Sequence, residues 1–127
     1  MEMRSQLGRV RGLGSSHEGA HHFWMQRISG VALIPLAIWF VVFGLPHAGA
    51  DLATFKAWVG THYNPFLLIL LIAAMFYHAQ LGLQVIIEDY VHTEARKITL
   101  LLAKDVAIFA LLAGSLAAIA KLHFIGI

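Results

Sequence analysis

The sequence predicts an all-α membrane protein with three transmembrane helices and a short interfacial helix between the first and the second. Of its 127 residues, 59% are hydrophobic and only 13% are charged, whereas about a quarter of the residues in soluble domains are charged. No charge falls within residues 28–50 or 57–87. A third apolar stretch, residues 98–120, contains only Lys104 and Asp105. Each stretch reaches the roughly 20 residues that a helix needs to cross a bilayer core of about 30 Å.

The first predicted span begins near Phe23 and follows a polar, basic and glycine-rich segment. Such a composition is typical of a surface arm that orders against a partner. The span is too long for the apolar region of a signal peptide and lacks a small-residue cleavage site, so we interpret it as a permanent helix. We therefore divide the chain into a cytoplasmic arm (1–22), a three-helix transmembrane domain (23–121) and an external tail (122–127).

The segment "LPHAGADLATFKAWVGTHYNP" between the first two spans has turn signals at both ends. Four apolar residues recur within it at helical spacing: Leu52, Phe55, Trp58 and Val59. This spacing predicts a short helix that lies in the membrane interface with its aromatic side toward lipid. Trp58 and Tyr63 also match the aromatic belt that membrane proteins place at this depth.

The second span runs from about Pro65 to Asp89, and "VHTEARK" forms the turn into the third. Lys104 and Asp105 lie about two turns inside the apolar run of that third helix. Either the helix begins nearer Lys104, or the two charges snorkel to the interface or pair with a partner subunit. The first alternative leaves few uncharged residues for a span, so we favour snorkelling or pairing.

Basic residues are distributed unequally between the two ends of the spans. Those on one side are Arg4, Arg9, Arg11, Arg27, Arg96 and Lys97, and those on the other are Lys56 and Lys121. Positive residues concentrate on the cytoplasmic side of membrane proteins. The asymmetry therefore predicts a cytoplasmic N-terminus and an external C-terminus.

His78 lies near the middle of the second span, roughly 16 Å from Asp89 on a helix that rises 1.5 Å per residue. A polar group at that depth usually faces a bundle interior, a partner or a cofactor. Two interpretations remain open: a neutral imidazole bonded to a serine or a backbone carbonyl of a neighbouring helix, or a metal or haem ligand. Gly82, one turn further on, either opens a flat shelf for a porphyrin or serves close helix packing. Because the chain has no cysteine, any redox centre must use histidine or another ligand.

Polar groups also collect at the predicted cytoplasmic side. Asp89 and Tyr90 can hydrogen-bond a carbonyl group and relay a proton, or they are an ordinary helix end and an interface anchor. Arg27, preceded by His21, can bind carboxylates or propionates, or is a snorkelling arginine. The residue types alone leave both pairs of alternatives open.

"HAQLGLQVIIEDYVH" resembles the second membrane helix of the hydrophobic membrane anchor subunits of succinate dehydrogenase (complex II), and "HHFWMQRISG" is similar to their first-helix entry. The resemblance spans roughly residues 12–121. It implies that His78 is an axial ligand of haem b and that Asp89 and Tyr90 form part of the ubiquinone site. It also implies that His21 and Arg27 approach the haem propionates.

The same resemblance implies the partners and the role of the chain. The partners are a second membrane subunit of cytochrome b type that shares the haem, an iron-sulfur subunit, a flavoprotein subunit and the lipid bilayer. Electrons from succinate would pass to the quinone pool of the respiratory chain, linking it to the citric acid cycle. The isolated chain would have no catalytic activity, and no nucleic acid is expected to bind. The implied location is the bacterial cytoplasmic (inner) membrane, alternatively the mitochondrial inner membrane.

Two other functions fit the same residues. One is the anchor of a fumarate reductase or of another quinone-linked dehydrogenase. The other is a small structural membrane protein without a cofactor, which only organises the helices of its partners. A reducible b-type haem in the purified complex would support the succinate dehydrogenase assignment, and its absence would favour the structural protein.

The orientation can be tested with a reporter protein that is active only in the cytoplasm. Fused after Ile127, the reporter should be inactive, because the positive-inside distribution puts the C-terminus outside. Fused to the N-terminus, the same reporter should be active. Activity of the C-terminal fusion would overturn the orientation.

Overall fold

A computed structural model describes residues 5–10 and 18–125 of the chain. Its α-helices are α1 (Gln6–Val10), α2 (Glu18–Trp39), α3 (Leu52–Val59), α4 (Asn64–Tyr90) and α5 (Glu94–Ala120). Helix α2 continues through a wide π-helical turn, Phe40–Gly44, and a 3₁₀ turn, Leu45–His47, and α5 ends in a second π-helical turn, Lys121–Ile125. Residues 1–4 and 11–17 of the predicted arm and residues 126–127 of the tail lie outside the described residues.

Three helical stretches are long and apolar enough to cross a membrane: Gly19–His47, Asn64–Tyr90 and Glu94–Phe124. The prediction of an all-α membrane protein with three spans and a short helix after the first is therefore confirmed. Because α5 already begins at Glu94, the alternative in which the third helix starts near Lys104 is wrong. Helix α2 begins at Glu18, earlier than the start near Phe23 that the sequence suggested.

Helix α4 is the centre of the structure. It packs along both α2 and α5, whereas α2 and α5 make few contacts with each other. Most large apolar side chains on all three helices face outward, as is required of helices surrounded by lipid or by other membrane subunits. The central position of α4 gives His78 access to a neighbouring helix.

The buried apolar core lies at the predicted external end of the helices. Val59 of α3 is 1% exposed and packs with Leu68 of α4 and Ile119 of α5. Helix α3 is held at its start by Asp51, whose carboxylate accepts hydrogen bonds from the hydroxyl (2.6 Å) and the backbone N–H (3.3 Å) of Thr54. Both bonds hold the pKa of the Asp51 carboxyl below its usual range. The cap and the core together fix α3 across the ends of the spans.

The aromatic side of α3 faces this core, so the expectation that it faces lipid was wrong. The Trp58 indole stacks on Trp39 at 5.9 Å between ring centroids and on His47 at 5.2 Å. Phe55 also contacts the core cluster. Apolar spacing could not decide between lipid and protein because both environments accept an aromatic face. Tyr63, by contrast, is exposed as an interface residue would be.

Gly44 allows the indole of Trp58 to lie close to the end of α2. A Cβ atom at this position would come within 2.7 Å of Phe40 Cδ2 and 3.1 Å of Trp58 Cη2. Aromatic rings held on both sides cannot retreat easily in a packed core. The glycine is therefore required by packing.

Gly44→Ala should lower the free energy of unfolding by about 1–3 kcal/mol, the usual cost of overpacking a core. Thermal denaturation of the complex in detergent measures this loss. Gly114→Ala on α5 is the matched control, because a Cβ there meets no atom of the described residues within 4 Å. Equal stability of the two variants would refute the packing role of Gly44.

Candidate functional site

The imidazole of His78 is bonded to helix α2. Its Nδ1 atom lies 3.0 Å from Ser29 Oγ and 3.1 Å from the backbone carbonyl oxygen of Gln26. Ser29 is 7% exposed, and its hydroxyl donates to the same carbonyl at 3.0 Å. Three polar atoms thus form one small network across the α2–α4 interface.

These distances assign the tautomer of His78. A carbonyl oxygen can only accept, so an unprotonated Nδ1 beside Gln26 O would place two lone pairs against each other at 3.1 Å. A protonated Nδ1 instead donates to Gln26 O and to the lone pairs of Ser29 Oγ, whose own hydrogen is already used. Nε2 then carries the free lone pair, and it has no hydrogen-bond partner within residues 5–10 and 18–125. The ring is held through one nitrogen and can bind a ligand through the other.

The glycine that packs against the imidazole is Gly30 of α2. A Cβ on Gly30 would lie 3.2 Å from His78 Cε1 and 3.6 Å from Nδ1. A Cβ on Gly82 would meet only the side-chain nitrogen of Gln26, at an ordinary 3.8 Å. The rotation of about 40° per turn around α4 places Gly82 near the face that carries His78, and the Gln26 side chain lies beside it.

His78 opens onto a groove of about 490 Å³ between α2 and α4. The lining residues are Phe23, Gln26, Arg27, Gly30, Val31, Ile34 and His78. The Arg27 guanidinium lies 4.4 Å above the Phe23 ring centroid. Because Arg27 directly follows Gln26, whose carbonyl bonds His78, Arg27 lies at the same level of the α2–α4 pair as His78.

The remaining predicted site residues lie nearer the predicted cytoplasmic end. His21 is exposed on the first turns of α2 and does not line the groove. Asp89 and Tyr90 form the exposed end of α4, with Tyr90 79% exposed. The structure therefore brings Arg27 to His78, but leaves His21, Asp89 and Tyr90 apart from that groove.

Sequence reasoning missed Gln26, Ser29 and Gly30. Their spacing of three and four residues puts them on one face of an otherwise apolar helix, which is the pattern that could have identified them. His22 was also passed over in favour of His21. It is the more enclosed of the two, and its Nε2 is buried with no hydrogen-bond partner among the described residues.

A second polar cluster joins α4 to α5. The Lys104 side chain is 5% exposed and its Nζ lies 2.9 Å from Asp105 Oδ1. Gln80 Nε2 donates to the same carboxylate oxygen at 2.7 Å, and Lys104 Nζ lies 3.5 Å from Gln84 Oε1. Lys104 is therefore satisfied inside the chain, contrary to the expectation that it snorkels or pairs with another subunit.

The described residues contain no cluster of three or more histidine, cysteine, aspartate or glutamate side chains able to hold a metal ion.

Comparison with known proteins identifies the class. The model of the family "Succinate dehydrogenase/Fumarate reductase transmembrane subunit" matches residues 1–113. The chain belongs to this family. No solved structure gives a significant match.

Curated relatives narrow the class further. Proteins named "Succinate dehydrogenase hydrophobic membrane anchor subunit" match at 30% identity over 102 residues in Rickettsia bellii, covering 80% of this chain and 82% of the relative. They match at 32% over 87 residues in Rickettsia felis, with coverages of 68% and 72%. In Paracoccus denitrificans the identity is 30% over 88 residues, with coverages of 69% and 68%. The predicted resemblance is confirmed, and the matches support a membrane anchor subunit of succinate dehydrogenase.

Proposed function

We propose that the chain binds haem b together with a second membrane subunit of cytochrome b type, and that it forms part of the ubiquinone-reduction site of succinate dehydrogenase. Electrons would arrive from the flavoprotein subunit through the iron-sulfur subunit. The chain itself would bind and orient the haem and the quinone and would not oxidise succinate. It would lie in the bacterial inner membrane with the N-terminus in the cytoplasm.

One observation carries the haem assignment: His78 is anchored through Nδ1 and turns Nε2 away from its hydrogen bonds. A histidine that ligates iron usually donates its other ring N–H to a carbonyl or another acceptor, which fixes the tautomer and raises the basicity of the ligand. Gln26 O and Ser29 Oγ are such acceptors. The adjacent groove is compatible with a planar group beside the ring.

Arg27 fits the same proposal. Its exposed guanidinium lies at the depth of His78 and lines the same groove, where an uncompensated charge facing lipid is costly. A carboxylate bound at this point would satisfy it with two charge-assisted hydrogen bonds. We assign the haem propionates to Arg27, with His21 as a second contact nearer the cytoplasmic end. When bound, the haem would supply a one-electron redox centre, while Arg27 and His78 would hold it in place.

The quinone site is assigned to the end of α4. Reduction of a quinone takes two electrons and two protons, so the site needs a donor at the quinone carbonyl and access to water. The Tyr90 hydroxyl is an exposed donor at the predicted cytoplasmic surface. Asp89, also exposed, can order water or a neighbouring cation beside it. Residues from other subunits would complete the site.

Replacing His78 with Leu should remove or strongly perturb the low-spin haem spectrum of the purified complex, because one axial ligand is lost. The optical spectrum and the haem content per complex measure the effect. His62→Asn is a suitable control, since His62 is an exposed loop residue with positive φ, which asparagine tolerates. An unchanged spectrum and redox potential in His78→Leu would rule out the assignment.

Tyr90→Phe removes only a hydroxyl and should lower ubiquinone reduction by about 10- to 10³-fold, the effect of losing one positioned donor. Succinate oxidation with an artificial acceptor that takes electrons upstream should persist, and the haem spectrum should remain normal. Tyr63→Phe is the matched control, because Tyr63 is 75% exposed at the opposite end of α4. If Tyr90→Phe reduces ubiquinone at the wild-type rate, Tyr90 is an interface anchor.

A further inference from the structure

We infer that Ser29 and Gly30 of α2 are positioning residues for His78: Ser29 shares the Nδ1–H hydrogen bond, and Gly30 sets the orientation of the ring. The inference rests on the proposed haem function and adds two residues to it. Neither residue would itself ligate a haem iron. Both would act through the imidazole: Ser29 would change the electron density of the ring, and Gly30 would set the angle of its plane.

Ser29 is arranged to accept from the histidine. Its hydroxyl hydrogen is directed to Gln26 O at 3.0 Å, so the oxygen turns its lone pairs toward Nδ1, also at 3.0 Å. Ser29 is buried and His78 is half-buried, and electrostatic interactions are stronger where water is excluded. Two acceptors on one N–H draw the proton away from the ring and leave more electron density at Nε2. A more basic ligand favours Fe(III) over Fe(II).

Gly30 controls the ring by contact. Cε1 lies between the two ring nitrogens, and it is the atom that a Cβ on Gly30 would approach to 3.2 Å. An alanine there must turn the imidazole or move α2 away by a few tenths of an ångström. Turning the ring would change the direction of the Nε2 lone pair. Moving the helix would lengthen the bonds to Ser29 and Gln26.

The first test uses Ser29→Ala in the complete detergent-solubilised complex. The Fe(III)/Fe(II) equilibrium of the haem should shift about 2- to 10-fold toward Fe(II), the range expected for the loss of one hydrogen bond. Redox titration of the optical spectrum measures this shift. Ser29→Thr keeps the hydroxyl and should restore most of the wild-type equilibrium. Ser115→Ala is the control, because the Ser115 hydroxyl donates to Leu111 O of its own helix, at 2.7 Å.

The second test compares Gly30→Ala with Gly82→Ala. Electron paramagnetic resonance of the oxidised low-spin haem reports the orientation of the axial imidazole plane. Gly30→Ala should shift this signal, whereas Gly82→Ala should leave it at the wild-type position because its Cβ makes an ordinary contact at 3.8 Å. If Gly30→Ala assembles poorly, the Ser29→Ala and Ser29→Thr variants still decide the hydrogen-bonding role of Ser29.

The outcomes separate this inference from the function on which it rests. A wild-type complex without haem b, or a haem spectrum unaffected by His78→Leu, overturns both. A His78-dependent haem whose redox equilibrium is unchanged in Ser29→Ala overturns the role of Ser29 alone. An unchanged resonance signal in Gly30→Ala overturns the role of Gly30. Equal shifts in the Ser115 or Gly82 controls would show a general loss of packing and would also reject the inference.

Discussion

The contact between the His78 ring and the Gln26 carbonyl is the constraint on which the rest of the site depends. In lipid, apolar side chains give little driving force for helices to associate, so interhelical hydrogen bonds and close packing set their register. Here the bond is 3.1 Å long and joins residues 52 positions apart in the sequence. Once α2 and α4 are joined at this level, Arg27 and the groove are placed beside the imidazole.

Polar hydrogen bonds also hold α5 against α4. Its contact with α4 includes the bonds of Asp105 with Lys104 and Gln80, which bury a lysine inside an apolar helix pair. The ion pair lies within α5, and the bonds from Asp105 to Gln80 and from Lys104 to Gln84 are the ones that join it to α4. Helix α4 is thus fixed on two sides by polar groups and at one end by the aromatic core around Val59. The other end of α4, with Asp89 and Tyr90, is exposed.

Several features could be predicted from the sequence because they depend on composition or on one helix at a time. Segregated charges and apolar length predicted three spans, since the thickness of the bilayer sets the length of a helix. Depth along a single helix singled out His78 among eight histidines. The motif of His78, Asp89 and Tyr90 pointed to the family that the comparisons then confirmed. None of these inferences required knowledge of which helix packs on which.

The contacts between helices were decided only by the tertiary structure. Helical periodicity gives the angle of Gly82 relative to His78, but it cannot say which residue of the neighbouring helix lies against the ring, and that residue is Gly30. Helical periodicity also gives the aromatic face of α3, but an apolar face can pack against either lipid or protein. The stacking of Trp58 on Trp39 therefore depended on where α2 ends. The charges of Lys104 and Asp105 were visible in the sequence, whereas their partner Gln80 lies on another helix. The sequence by itself determined the spans and the deep histidine, because these are properties of one segment in a bilayer. Only the tertiary structure decided what each side chain contacts, because the relative rotation and register of helices arise from packing between distant segments.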